Sequence, residues 1–327
     1  EVIFFPCFFY IVRKILNKRN DYVLFFYLLY FFLVIRTFFD YYQFFKMSNV
    51  TGLKININLW NGVDSHVEMI VILSVFSLIF SLGMMSISKK YVEKVLFIII
   101  MSINVWFLCV CNKSEPFVSL LLTSPFMLFF TKNKKTYICF IICLLVFIFF
   151  NEKHIARFSS FYKFMDSEQM RITTLFASIK MICENFWFGI GFGNFAYFLD
   201  TFSEKHFFES DLWPLSNPHN FICHYLVSMG ILATSCFIII ISYILIKSMN
   251  SIRLLMDNKL KNITVTVLWS FVCYIIGANI GGTAMPLAFS HLLVDTKFFF
   301  IELGFLDSMI SYSKMNYKKI YNANNKK

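Results

Sequence analysis

Arg171, the run Gly189-Ile-Gly191-Phe-Gly193-Asn194 and the run Asn217-Pro218-His219-Asn220 follow one another in a single stretch of the chain. These residue types suit holding an anion and moving a proton. The planar guanidinium of Arg171 matches a phosphate bidentately. Glycines at alternate positions break a helix and let backbone come close to something, and exposed N–H groups in such a turn form an anion-binding nest. The spacing is not a dinucleotide fingerprint, and no Gly-Lys-Ser/Thr follows, so it is not a P-loop. Asn217 is a good N-cap and Pro218 suits a first helical position, which predicts His219 in the first turn of an apolar helix. The helix dipole there disfavours imidazolium, so His219 is expected to be neutral near pH 7 and able to accept a proton. The same place attracts phosphate. Each piece has a plainer reading: a solvated Arg, a helix break, a structural interfacial His. Their occurrence in one loop favours a site.

The elements that must position these residues are membrane helices. The chain has 327 residues, 58% hydrophobic and 15% charged, with 44 Phe, 11 Gly and 6 Pro and a mean hydropathy of +0.66. Soluble domains hold about 25% charged residues, so a soluble enzyme is excluded. Long apolar runs rather than alternating ten-residue segments exclude an outer-membrane barrel. The fold class is all-α, a polytopic transmembrane bundle. Spans are predicted at 1–12 (partial), 21–39, 67–88, 92–111, 116–131, 136–150, 219–247, 263–280 and 296–312. The chain begins at Glu1 on an apolar stretch, which predicts that further N-terminal spans are missing.

The connections alternate in charge. Most of the 30 basic residues fall in one set, around Arg13–Arg19, Lys89–Lys94, Lys132–Lys135, Lys247–Lys261 and Lys314–Lys327. The positive-inside rule makes that set cytoplasmic. The other set includes 151–218, the longest connection, which keeps Lys153, Arg157, Lys163, Arg171, Lys180 and Lys205. Either a loop this long escapes the rule, or it holds an anion at the outer face. From Arg171 to Trp187, Ile172, Leu175, Phe176, Ile179, Ile182 and Phe186 recur at helical spacing, with Arg171, Thr174, Ser178 and Asn185 on another face. This predicts an amphipathic helix at the outer interface. The expected organisation is N-terminal membrane helices over 1–150, an extracytoplasmic catalytic loop over 151–218, C-terminal membrane helices over 219–312 and a basic cytoplasmic tail over 313–327.

The ordered combination of Arg171, amphipathic helix, GIGFGNF, a variable segment, HN opening a span and Gly230 in MGILA resembles the O-antigen ligase and polymerase family, the Wzy/WaaL-like proteins. The resemblance covers 171 to about 235. It implies a GT-C-like bundle in the bacterial inner membrane with a large outer loop that bears the site. It implies glycan transfer from an undecaprenyl-diphosphate carrier, as polymerase or as ligase, with no cofactor. His219 and Arg171 match the family's functional His and Arg. The partners implied are an undecaprenyl-diphosphate-linked oligosaccharide, membrane lipid and a chain-length regulator, with no nucleic acid. Members often open the span before the preceding hairpin with Ser-Arg, where this chain has Lys113-Ser114-Glu115-Pro116, and they usually carry more spans.

Arg36 is followed by Asp40 near the outer end of a span. A charge there is a functional candidate by default. Arg36 either pairs with Asp40 or gives a second diphosphate contact, and Asp40 is the alternative base. Gly189, Gly191, Gly193, Asn194 and Asn220 are candidate substrate-binding residues. No HExxH, CxxC or Asp-x-Asp occurs, so no metal is expected, and the nine Cys read as small core residues. Mid-span charge is nearly absent, which favours an enzyme over a lipid-linked sugar transporter or flippase.

Overall fold

The structure, a computed structural model, describes residues 4–50, 64–110, 115–131, 134–150, 174–202, 220–281 and 293–324. In chain order the helices are α1 (Phe4–Ile15), α2 (Arg19–Val50), α3 (Asp64–Ile87), α4 (Tyr91–Val110), α5 (Glu115–Phe130), α6 (Lys134–Phe150), α7 (174–184), α8 (Phe195–Phe202), α9 (Phe221–Leu254), α10 (Asn258–Gly281) and α11 (Leu293–Asn324). No strand occurs among the described residues. Every expected span meets a helix among the described residues, the one over 219–247 interrupted at Gly230. Arg19–Tyr42, Tyr91–Leu108, Phe221–Leu254 and Asn258–Asn279 are each long and apolar enough to cross a bilayer, and Val71–Ile87 and Phe117–Phe130 are shorter apolar helices. The chain is an all-α, multi-pass membrane protein. Helix α2 runs on to Val50 and α11 to Asn324, so parts of the expected connection 40–66 and of the expected tail 313–327 are helical.

Helix α10 is the axis of the bundle and packs against α2, α3, α5, α9 and α11. In lipid, hydrophobicity does not drive helices together, so close approach and interhelical hydrogen bonds decide the packing. A Cβ at Gly83 would lie 2.4 Å from Thr266 Oγ1, which shows how near α3 comes to α10. Polar side chains tie the interior. The Tyr41 hydroxyl joins Ser74 and Asn104, each at 2.8 Å. Trp269 Nε1 donates to Thr123 Oγ1 at 2.8 Å. Such bonds contribute about 0.6–2 kcal/mol each in membranes.

Two expectations from sequence need correction. Glu302 on α11 is fully buried and accepts a hydrogen bond from Ser270 of α10, a mid-span charge that the sequence reading passes over. A single carboxyl bonded to one hydroxyl is not a polar path through the bundle. The cysteines are not mainly core: Cys273 is buried, but Cys7, Cys139, Cys143, Cys183 and Cys236 are exposed. On an apolar surface that faces lipid, a thiol is as well placed outside as inside.

The two ends of α10 mark the two ends of the bundle. Near its start, Thr266 shares the Tyr137 hydroxyl with Ser86 and Thr131, which gathers the end of α3 and the beginning of α6. At its far end the Asn279 carbonyl accepts from Asn220 Nδ2 at 3.1 Å. The stretch with candidate chemistry lies at this second end.

Candidate functional site

Helix α7 is amphipathic, but the face it buries is the small, polar one. Thr174, Ala177, Ser178 and Met181 are buried, whereas Leu175, Phe176 and Ile179 are exposed. The reason is the partner. Ala177 and Met181 close a small core with Phe195 and Leu199 of α8 and Val227 of α9, where small side chains allow contact. Ser178 Oγ satisfies itself on the Thr174 carbonyl at 2.6 Å. The apolar face continues outward through Phe186, Trp187 and Phe188, the last 80% exposed. Apolar side chains turned away from protein are how a helix sits in a membrane interface.

After α7 the chain enters the glycine turn, in which Gly189, Gly191 and Gly193 all have positive φ. The turn docks on α9. Ile190 N donates to the Val227 carbonyl at 2.8 Å, and Gly191 N to the Ser228 carbonyl at 3.0 Å. In an unbroken helix those carbonyls would accept from residues 231 and 232. Helix α9 is broken at Gly230, whose φ of 71° and ψ of −179° are non-helical. The amide freed by the break, Ile231 N, donates to the Phe186 carbonyl at 2.9 Å. The loop thus satisfies the backbone groups that the break exposes, a condition for breaking any helix in an apolar setting. The expected continuous span over 219–247 is two helical segments, and residues 231–254 alone can cross about 30 Å of hydrocarbon.

Two glycines make the joint possible. A Cβ on Gly189 would stand 2.5 Å from the Val227 carbonyl oxygen. One on Gly230 would stand 2.3 Å from the Trp187 carbonyl oxygen. The N–H groups of Ile190 and Gly191 are engaged by α9, and that of Gly189 donates to Asn185 O at 2.9 Å. They therefore do not form the anion cradle that the turn's sequence suggests. Asn194 closes the turn, its Nδ2 donating to the Ile190 carbonyl at 2.7 Å.

Asn220, not Asn217, caps α9. Its backbone is extended, and its Oδ1 accepts from Cys223 N at 3.0 Å. In sequence, His219 immediately precedes this cap. His219, Asn217, Pro218 and Arg171 lie outside the described residues. One turn into α9, His224 is buried against Phe192, and neither ring nitrogen has a hydrogen-bond partner among the described residues. Sequence alone gives only its helical register with Asn220.

Arg36 is paired. Its Nε donates to Asp40 Oδ2 at 2.9 Å, one helical turn on, and its guanidinium lies 5.9 Å from the Phe39 ring centre. Asp40 is 3% exposed.

A family model described as O-antigen ligase matches residues 58–238. That is more than half of the chain, and it spans α3 to α9, including the glycine turn, the cap and the break at Gly230. The chain belongs to the O-antigen ligase family. No curated protein matches it significantly. Members of this family transfer glycosyl groups, and membership implies a lipid-linked oligosaccharide substrate at a membrane. The docked turn and the broken helix fix the described stretch 174–202 to the bundle.

Proposed function

We propose that the protein is a polymerase of undecaprenyl-diphosphate-linked oligosaccharide repeat units, for O-antigen, capsule or another surface polysaccharide. It would work in the bacterial inner membrane with loop 151–218 outside and the C-terminus cytoplasmic. The supporting observation is the joint between the glycine turn and Gly230, which holds α7 and the cap at Asn220 at one end of the bundle. Arg171 and His219 lead directly into those two elements in sequence.

In this reading the acceptor hydroxyl attacks the anomeric carbon of the donor sugar. The carbon–oxygen bond to diphosphate breaks, and undecaprenyl diphosphate leaves with the electron pair. His219 takes the hydroxyl proton and Arg171 holds the leaving oxygens, which need positive charge more than an acid. Arg36 has N–H donors beyond its bond to Asp40 and is the second phosphate contact. Asp40 is the reserve base. Gly189 and Gly191 position the loop, and Gly193, Asn194 and Asn220 are the proposed substrate contacts. A chain-length regulator is the expected protein partner. Ligase activity is the second reading, because both activities share the motif; polymerase is preferred because polymerases are the more numerous and divergent members.

The test is the lipid-linked pool in cells that carry His219→Ala. A polymerase leaves single repeat units on the carrier. A ligase leaves long polymer there, and an unchanged pool would contradict both.

A further inference from the structure

The end of the bundle opposite the glycine turn holds a crevice that the glycan-transfer reading does not use. Helices α4 and α6 pack little against each other. Between them lies a cavity of about 610 Å³, floored by Leu82 and Met85 of α3, with Met101 of α4 on one wall and Cys139 and Cys143 of α6 on the other. Lys135 also lines it. Lys135, Cys139 and Cys143 are four residues apart in turn and all exposed, so they form one stripe along α6. The stripe carries a cation at its start and an apolar track of about 12 Å behind it.

The surroundings add charge of the same sign. Tyr137, two residues after Lys135, reaches Ser86, one residue before α3 ends, so Lys89, just past α3, lies toward the same end of the bundle as Lys134 and Lys135. Lys90 is paired with Glu93 at 3.5 Å, but Lys89, Lys134 and Lys135 have no ion pair among the described residues. From Thr266 at this end to Asn279 at the other is about 20 Å of helix. A lipid whose head lies at the glycine turn cannot also place it at Lys135.

We propose that this crevice is a binding site for an anionic glycerophospholipid from the leaflet at the basic end, its acyl chain lying along Cys139 and Cys143 and its phosphate at Lys135. Charge complementarity selects the class. A neutral or zwitterionic headgroup leaves the positive charge at this end uncompensated, whereas a phosphodiester without a compensating amine relieves it. Behind Lys135 the lining is mostly apolar and suits an acyl chain better than a water-soluble anion, and the volume lies in the range of ligand pockets that enclose small molecules, ~300–1,000 Å³.

The test is native mass spectrometry of the purified protein titrated with phosphatidylglycerol or phosphatidylcholine of identical chains. Phosphatidylglycerol should be retained at least about tenfold more tightly, and Lys135→Gln should lose about fivefold of that preference, the usual effect of one basic residue at a lipid surface. Lys135→Arg should keep it. Cys143→Trp, which fills the apolar track, should weaken both lipids. In the native protein, phosphatidylglycerol should slow alkylation of Cys139 and Cys143 but leave Cys236 on α9 unaffected. Equal binding of the two lipids, full preference in Lys135→Gln, or equal protection of Cys236 would overturn the assignment. Loss of preference in both Lys135→Gln and Lys135→Arg would do so too.

Discussion

Replacing Gly230 with alanine should release the glycine turn from α9. The residue sits at φ 71° and ψ −179°, a region open essentially to glycine, where another residue costs about 1–3 kcal/mol. The new Cβ would lie 2.3 Å from the Trp187 carbonyl oxygen, 2.4 Å from its carbon and 2.5 Å from Phe188 N. All three are backbone, so no side chain can swing aside. Relief requires the two segments to part, which breaks Ile190 N to Val227 O, Gly191 N to Ser228 O and Ile231 N to Phe186 O. At about 0.5–1.5 kcal/mol net for each bond, with the strain added, docking loses about 3–6 kcal/mol. Hydrogen exchange reads this directly. Protection of the Ile190, Gly191 and Ile231 amides should fall by about 10²–10⁴-fold, since 1.4 kcal/mol is tenfold. Gly193→Ala is the control. It has φ 81° but nothing within 4 Å of its Cβ, so it carries strain of about 1–2 kcal/mol and leaves those amides protected. Native protection in Gly230→Ala, or equal loss in Gly193→Ala, would refute the reasoning.

Other consequences follow from single residues. Arg171→Lys should lose most glycan transfer at normal protein level, because a point charge cannot make a forked phosphate contact; full activity would defeat that role. His224→Leu should leave thermal stability unchanged or raise it, since it removes two buried nitrogens without partners, each costing about 1–3 kcal/mol; a clear drop in unfolding temperature would show that the ring has a partner. Burial raises the Asp257 carboxyl's pKa, but Arg19 and the amides of Lys259 and Leu260 outweigh it, so the group is held below its ordinary value. A lowered carboxyl contributes stability above its unfolded pKa, ~3.9, and loses it as pH falls through the folded value. Melting curves of the native protein and Asp257→Asn should therefore differ at neutral pH and converge below about pH 4; a constant gap would contradict this. A reporter fused after Lys327 should be active only on the cytoplasmic side, and outer-side activity would reverse the topology.

Membrane helices are legible in sequence because length and apolarity alone specify them, and each expected span meets a helix. Ends are less legible. Val50 and Asn324 end their helices well beyond the apolar runs, since a helix continues into water without any change of pattern that hydropathy can see. The burying face of α7 is also not readable. Period shows which residues share a face, but Thr174 and Ser178 turn inward only because α8 and Val227 meet them there, with lipid as the alternative environment. Gly189, Gly191 and Gly230 stand out in sequence as places needing backbone freedom. That they need each other, across some forty residues, is a tertiary fact. Asn217 and Asn220 are equally good caps by type, and the bond from Asn220 to Asn279 gives a physical reason for the second. Glu302 was hidden because one acidic residue scarcely alters the hydropathy of a long apolar run, and its partner Ser270 is on another helix.

If loop 151–218 carries out sugar transfer, His219 is its base. The direct measurement uses purified protein, a synthetic undecaprenyl-diphosphate oligosaccharide, and elongation followed by product length. Native protein should build a ladder of repeat units. His219→Gln, whose amide can hydrogen-bond but cannot take a proton, should fold normally and elongate about 10²–10⁴-fold more slowly, the usual loss for a general base. If His219→Gln builds the ladder at the native rate, His219 only positions groups, and the proton must go elsewhere, with Asp40 the next residue to change.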